Sequence, residues 1–152
     1  MSMREDFTSE LKVAMKAGDK VRVGAIRMIT AALKDKDIEA RGLGKTVSDD
    51  DILALLQKMV KSRQESLEIY EKAGRDDLAQ QESGEIAVIR SFLPEPLDDS
   101  AVEAAIAAAI AETGAASIKD MGKVVAALKA KYAGRMDFAK ASAGVKAKLN
   151  AA

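Results

Sequence analysis

Apolar residues in this chain recur at every third or fourth position, and no stretch alternates over the length of a strand, so the pattern is helical throughout. Phe7, Leu11, Ala14 and Met15 form a first stripe, and Ile26, Ile29 and Leu33 a second. Ile52, Leu55, Leu56, Met59, Val60, Leu67 and Tyr70 make a third, followed by Leu78, Ile86, Ile89, Phe92 and Leu93. After a break the stripes resume with Val102, Ile106, Ala109, Ile110 and Thr113. Met121, Val124, Val125, Leu128 and Tyr132 follow, and Phe138, Ala141, Val145 and Leu149 close the series. The expectation is an all-α protein of seven helices.

Capping residues place the ends. Ser2-x-x-Glu5, Ser48-x-x-Asp51 and Ser117-x-x-Asp120 have the spacing of a capping box, and Asp19 and Asp98 or Asp99 stand where single caps belong. Gly18, Gly74, Gly114 and Gly134 stand where helices stop. Residues 41–47 read as a loop. Asp49, Asp50 and Asp51 fall in a first helical turn, where the helix dipole favours negative charge, and this explains them better than metal binding. Both prolines, Pro94 and Pro96, lie one residue apart, and no helix runs through them. This predicts an N-terminal four-helix module (1–93), a linker (94–97) and a C-terminal three-helix module (98–152).

The pattern has one fault. Arg63 falls at the centre of the third apolar stripe, and Glu82 and Glu85 fall on the fourth. A short turn at Gly74 makes these helices an antiparallel hairpin. If Tyr70 faces Leu78, Arg63 comes opposite Glu85, with Glu82 one turn away. An unpartnered buried guanidinium costs about 3–5 kcal/mol, so an Arg63–Glu85 or Arg63–Glu82 ion pair is predicted. It either fixes the register of the hairpin or belongs to a functional site.

Composition narrows the chemistry. Apolar residues make up 48% of the chain and charged residues 32%, with no Cys and no His. Disulfides, thiolate chemistry, Cys/His zinc sites and His-based acid–base catalysis are excluded. No metal or other cofactor is expected. No apolar run approaches the ~20 residues that span a bilayer, and the N-terminus lacks a signal-peptide pattern, so the expectation is a cytoplasmic protein without a membrane partner. Net charge is zero but uneven. From Ser117 onward Lys119, Lys123, Lys129, Lys131, Arg135, Lys140, Lys146 and Lys148 face only Asp120 and Asp137. That excess is either a footprint for an anionic partner or a set of solvated lysines. Lys20, Arg27 and Lys34, seven apart on the second helix, pose the same choice.

Gly44-Lys45-Thr46 has the end of a phosphate-binding P-loop, but Glu39 stands where the first glycine belongs and a helix precedes the loop where a strand is needed. That reading fails. Gly122, in the first turn of the sixth helix, suits either a phosphate approaching beside Lys119 and Lys123 or a close helix–helix contact. The five aromatic residues, Phe7, Tyr70, Phe92, Tyr132 and Phe138, all fall on apolar stripes, which argues against stacking on unpaired bases.

Leu11 to Asp19, Ile26-Arg27, Lys61 to Ser66, Gly74 to Leu78, Glu82, Glu85-Ile86 and Phe92-Leu93-Pro94 occur in order, followed by Ser117 to Val124 and Ala133-Gly134-Arg135. With these segments the chain resembles a stand-alone GatB/YqeY family protein. It departs from the family pattern at Gly24, inside the second helix, and at Met136 to Lys140, which replaces a small, glycine-containing run. The resemblance implies a two-part helical fold and kinship with the tRNA-contacting tail of the B subunit of glutamine-dependent aminoacyl-tRNA amidotransferases. It also associates the family with carbon–nitrogen ligase activity using glutamine as amido-N donor, chemistry that belongs to parts of that assembly this chain lacks.

The functional expectation is a non-catalytic module contacting tRNA or a tRNA-modifying complex. Lys119, Lys123, Lys129, Lys131 and Arg135 would carry phosphate contacts, and Lys20, Arg27 and Lys34 a second surface. The alternative is a protein-interaction adaptor using the alanine-rich face of the C-terminal module. An enzyme built on Arg63, Glu82, Glu85 and Lys61 is the third reading.

Overall fold

A computed structural model describes residues 2–151, so the outermost residues of the two expected modules, 1 and 152, lie outside the described residues. It contains seven α-helices and no strand among the described residues: α1 (Met3–Ala17), α2 (Lys20–Gly42), α3 (Asp49–Lys72), α4 (Asp76–Arg90), α5 (Asp99–Thr113), α6 (Met121–Tyr132) and α7 (Phe138–Ala151). The all-α expectation holds. A single 3₁₀ turn, Ile118–Asp120, leads into α6. The chain divides into two compact units, Met1–Leu93 and Pro94–Ala152.

The ends follow from local chemistry. Ser2 and Ser48 each accept from the backbone N–H three residues on, while Glu5 and Asp51 return a carboxylate to the cap's own N–H. Asp19 and Asp98 cap α2 and α5 through their carboxylates. In the first unit α3 and α4 form an antiparallel hairpin, and α2 packs on both of them as well as on α1. The core is Phe7, Ala25, Ile26, Ile29, Leu33, Ile52, Leu56, Ile86 and Ile89, with Val88 added. Met15, expected on the first stripe, is exposed. α4 stops at Arg90, and Phe92 and Leu93 follow in tight turns while still packing on this core. Phe92 meets the edge of Phe7 with ring centroids 5.0 Å apart.

The second unit packs α5, α6 and α7 around Ile106, Val124, Leu128, Met136, Val145 and Leu149. Val124, Leu128 and Val145 are fully buried. Alanines at 105, 109 and 141 let the helices approach closely. Closest of all is Gly144, where an added Cβ would lie 3.0 Å from Ile106 Cδ1.

The segment Met136 to Lys140 has two roles. Met136 enters the core, and Asp137 Oδ1 caps α7 by accepting from the Ala139 and Lys140 N–H groups at 2.9 and 3.3 Å. Just before it, Ala133 (φ −51°, ψ 127°) and Gly134 (φ +78°) have the torsions of a type II turn, closed by the Arg135 N–H on the Tyr132 carbonyl at 2.9 Å. Only glycine takes that positive φ without strain. Residues 94–97, the expected linker, are bonded to this turn. The Leu97 N–H donates to the Arg135 carbonyl, and Arg135 Nε donates to the Glu95 carbonyl, both at 2.9 Å.

Gly24 sits in mid-helix with its Cα toward solvent, and a Cβ there would meet nothing within 4 Å. Replacing a helix-interior glycine by alanine gains about 0.5–1 kcal/mol when nothing obstructs it. Gly24→Ala is therefore expected to raise the thermal midpoint by a few degrees in circular dichroism. An unchanged or lower midpoint would mean that the Gly24 backbone serves a packing role.

Candidate nucleic-acid interface

Charge is handled differently in the two units. In the first, five ion pairs are formed among the described residues: Arg4–Asp37, Arg22–Glu10, Lys36–Glu39, Arg63–Glu85 and Arg75–Asp77. The second has none among its described residues.

The innermost pair is Arg63–Glu85. Arg63 Nε donates to Glu85 Oε2 at 3.2 Å, with the side chains only 18% and 13% exposed. Arg63 Nη1 reaches the Met59 carbonyl at 3.4 Å, Nη2 reaches Met28 Sδ at 3.2 Å, and Gln81 donates to the other oxygen of Glu85 at 3.3 Å. The guanidinium thus touches α2, α3 and α4 together. Glu82 lies one turn from Glu85, and its Oε2 is buried without a hydrogen-bond partner. Burial raises the Glu82 pKa, the charge of Glu85 raises it further, and Arg63 offsets part of the rise. Lys61 is exposed. No group of three or more His, Cys, Asp or Glu side chains suited to a metal occurs among the described residues.

A cleft of about 360 Å³ in the first unit is lined by residues that include Asp6, Phe7, Glu10, Arg22 and Phe92. Its guanidinium is already engaged: Arg22 Nη2 donates to Glu10 Oε2 at 2.8 Å, and Cζ lies over the Phe92 ring, 5.5 Å from the centroid.

In the second unit both acids of the terminal segment are occupied by backbone. Asp120 Oδ2 accepts from the Ala116 and Ser117 N–H groups, which hold its pKa below the usual carboxylate value, and Asp137 caps α7. Lys119, Lys123, Lys129, Lys131, Lys140, Lys146 and Lys148 are exposed with no ion-pair partner among the described residues. They do not form one patch. Lys119 stands on the 3₁₀ turn and Lys123 in the first turn of α6. Lys129 and Lys131 lie about 200° apart around the same helix, one on each flank of its solvent face. Lys131 Nζ also sits over the Tyr132 ring, 5.7 Å from its centroid. Arg135 is partly buried, with Nε directed to the Glu95 carbonyl rather than to solvent. Gly122 is exposed, and a Cβ there would meet nothing within 4 Å, so no helix packs against it. Lys20, Arg27 and Lys34 are exposed on α2.

The profile of the YqeY-like protein family matches residues 4–149. The chain belongs to that family. Curated relatives include "Altered inheritance of mitochondria protein 41, mitochondrial" from three yeasts. The Lachancea thermotolerans protein is 33% identical over 88 residues, covering 58% of this chain and 46% of the relative. The Eremothecium gossypii protein is 34% identical over 84 residues, covering 55% and 45%. That of Saccharomyces cerevisiae is 31% identical over 84 residues, covering 55% and 44%. The matches thus span less than half the length of these YqeY-family relatives. Their names correct the expectation of a cytoplasmic protein, since the relatives are named as mitochondrial. No single helix among the described residues is long and apolar enough to cross a membrane.

Two outcomes are expected at the Arg63 cluster. Arg63→Met strands Glu85 in a mostly buried position and should cost about 2–3 kcal/mol, less than the ~3–5 kcal/mol of a fully buried pair because both partners retain some solvent. Urea unfolding measures it, and the double variant Arg63→Met/Glu85→Leu should recover most of the loss. Glu82 acts in the opposite sense. Its pKa is higher folded than unfolded, so its ionisation removes stability as pH rises through the folded value, and the penalty is absent below the unfolded value. Glu82→Gln should therefore stabilise the protein at pH 8, with the gain shrinking toward pH 4. A gain independent of pH would refute this account.

Proposed function

We propose that the protein is a non-catalytic RNA-binding module whose second unit contacts the phosphates of tRNA, alone or within a tRNA-modifying complex. The observation that carries this reading is the set of exposed lysines on the 3₁₀ turn, α6 and α7, whose acidic neighbours in sequence, Asp120 and Asp137, are bound to backbone N–H groups. Unpaired cations on a compact helical body favour a partner that supplies phosphate charge. The kinship with the amidotransferase tail that the family resemblance implies makes tRNA the RNA of choice.

Lys119 and Lys123 are the central pair. They flank the exposed Gly122, which leaves room for a phosphate oxygen to come close to the helix backbone. Lys129 and Lys131 extend the field along the flanks of α6. Arg135 serves first to tie residues 94–97 to the turn after α6, and contributes charge from that fixed position. The aromatic rings are buried or half-buried in the two cores, which favours recognition through backbone and shape over reading of unpaired bases.

Titration of labelled bulk tRNA against the protein tests this. Binding should weaken linearly in log K against log salt, and Lys119→Ala/Lys123→Ala should flatten the slope by about one to two. Absence of binding by the wild type at low salt would refute the proposal and favour a protein-interaction adaptor.

A further inference from the structure

The solvent face of α2 carries a second and more regular set of bases. Lys20, Arg27 and Lys34 follow at seven-residue intervals, and Arg41 continues the row to the end of the helix. All four are exposed, and none has an ion-pair partner among the described residues. Seven residues fall about 20° short of two full turns, so the row stays on one side of the helix over about 31 Å. Next to it runs another seven-residue series, Gly24, Ala31 and Ile38, also exposed. The acids at the edges of this face are largely neutralised, Asp37 by a two-bond contact with Arg4 at 2.6 and 2.8 Å and Glu39 by Lys36. Asp35, exposed and with no ion-pair partner among the described residues, remains beside the row, and Asp19 caps the helix at its start.

We infer that this face of α2 is a second contact surface for the sugar–phosphate backbone of double-helical RNA. The inference rests on the RNA-binding reading above and extends it to the first unit. A second copy of the chain does not fit, because its α2 would bring an identical row of like charges. A helix from another protein would find Ile38 in this series, with exposed Val21 about 60° around the helix from Gly24 and Leu43 about 140° from Ile38, too scattered for the apolar core that protein interfaces bury. A lipid surface would need apolar side chains to insert, and the same scatter applies. What remains on offer is regularly spaced positive charge beside a low strip at Gly24 and Ala31, over which a sugar–phosphate strand can lie close to the helix. α2 contains no aromatic residue to stack on an unpaired base, which favours a paired duplex.

The test uses the full chain and a fluorescein-labelled RNA duplex of about 20 base pairs, titrated at about 50 and 200 mM salt. Arg27→Glu/Lys34→Glu should lower affinity at least about tenfold and flatten the salt slope by about two, these being exposed positions whose replacement leaves the helical signal intact. Gly24→Leu/Ala31→Leu changes no charge and should weaken binding severalfold by lifting the backbone off the helix. Wild-type affinity and slope in the α2 charge-reversal variant overturn the inference. If Lys119→Ala/Lys123→Ala alone weakens binding, the RNA-binding reading stands while the α2 surface falls. If the α2 variants alone weaken it, the α2 surface stands and the second unit is excluded as the main contact. Equal loss of poly-L-glutamate or anionic-vesicle binding in the α2 variants, with no duplex binding by the wild type, assigns the face to another polyanion and overturns the RNA assignment.

Discussion

The first unit depends on a guanidinium that the hydrophobic pattern has no place for. Arg63 sits where an apolar residue would continue the α3 stripe, and three of its nitrogens are directed to three different helices. A charge in such a position is tolerable only with a carboxylate opposite, which sets the register of α3 against α4. A slip of one turn either strands both partners or hands Arg63 to Glu82 and leaves Glu85 unpaired. The pair therefore contributes specificity, while net stability comes from the aliphatic layer of Ile26, Ile29, Ile52, Leu56, Ile86 and Ile89 around it. Once α3 and α4 are in register, the small surface at Gly84 accepts Val21 of α2, where an added Cβ would lie 3.3 Å from the valine methyl.

Glu82 shows what the arrangement costs. Two carboxylates on adjacent turns share one guanidinium, and geometry gives the close contact to Glu85. Glu82 is left with a buried oxygen and a raised pKa, stabilised when protonated and strained when ionised. Asp120, partly exposed, and Asp51, exposed, lie at the opposite extreme, their pKa values lowered chiefly by hydrogen bonds from backbone N–H groups. The same functional group is pushed in opposite directions by burial and by helix ends.

What the sequence reveals divides along the same physical line. Helix caps are interactions over three residues, so Ser2, Asp19, Ser48 and Asp98 can be read directly. The juxtaposition of Arg63 and Glu85 spans 22 residues but follows from helix geometry and one short turn, and is also legible. Arg135 is different. Its side chain goes to Glu95, forty residues away, through a turn whose path no periodicity encodes, so from sequence it reads as one more free base. Met136 is likewise hidden, since its burial depends on where the turn after α6 delivers it. Glycine is ambiguous for the same reason. Gly122 and Gly24 face open space, whereas Gly84 and Gly144 mark the close approaches, and nothing local separates the two kinds.

The contrast between the units follows from how each builds its core. The first has long helices with large aliphatic side chains and wide polar faces, on which opposite charges meet across neighbouring helices and neutralise one another. The second packs shorter helices through alanines and Gly144, and its acids are unevenly placed: five precede Gly114, and the segment from Ser117 onward holds few. Those few, Asp120 and Asp137, are bound by the caps that start the 3₁₀ turn and α7. In that terminal segment the unpaired positive charge is thus a consequence of using both of its acids to begin helices. The row on α2 arises in another way, from a helix whose acids are drawn to Arg4 and Lys36 at its edges. Two different local causes leave the same chemistry on the surface, cations without partners, and on a chain with no net charge that placement is the feature a polyanion can recognise.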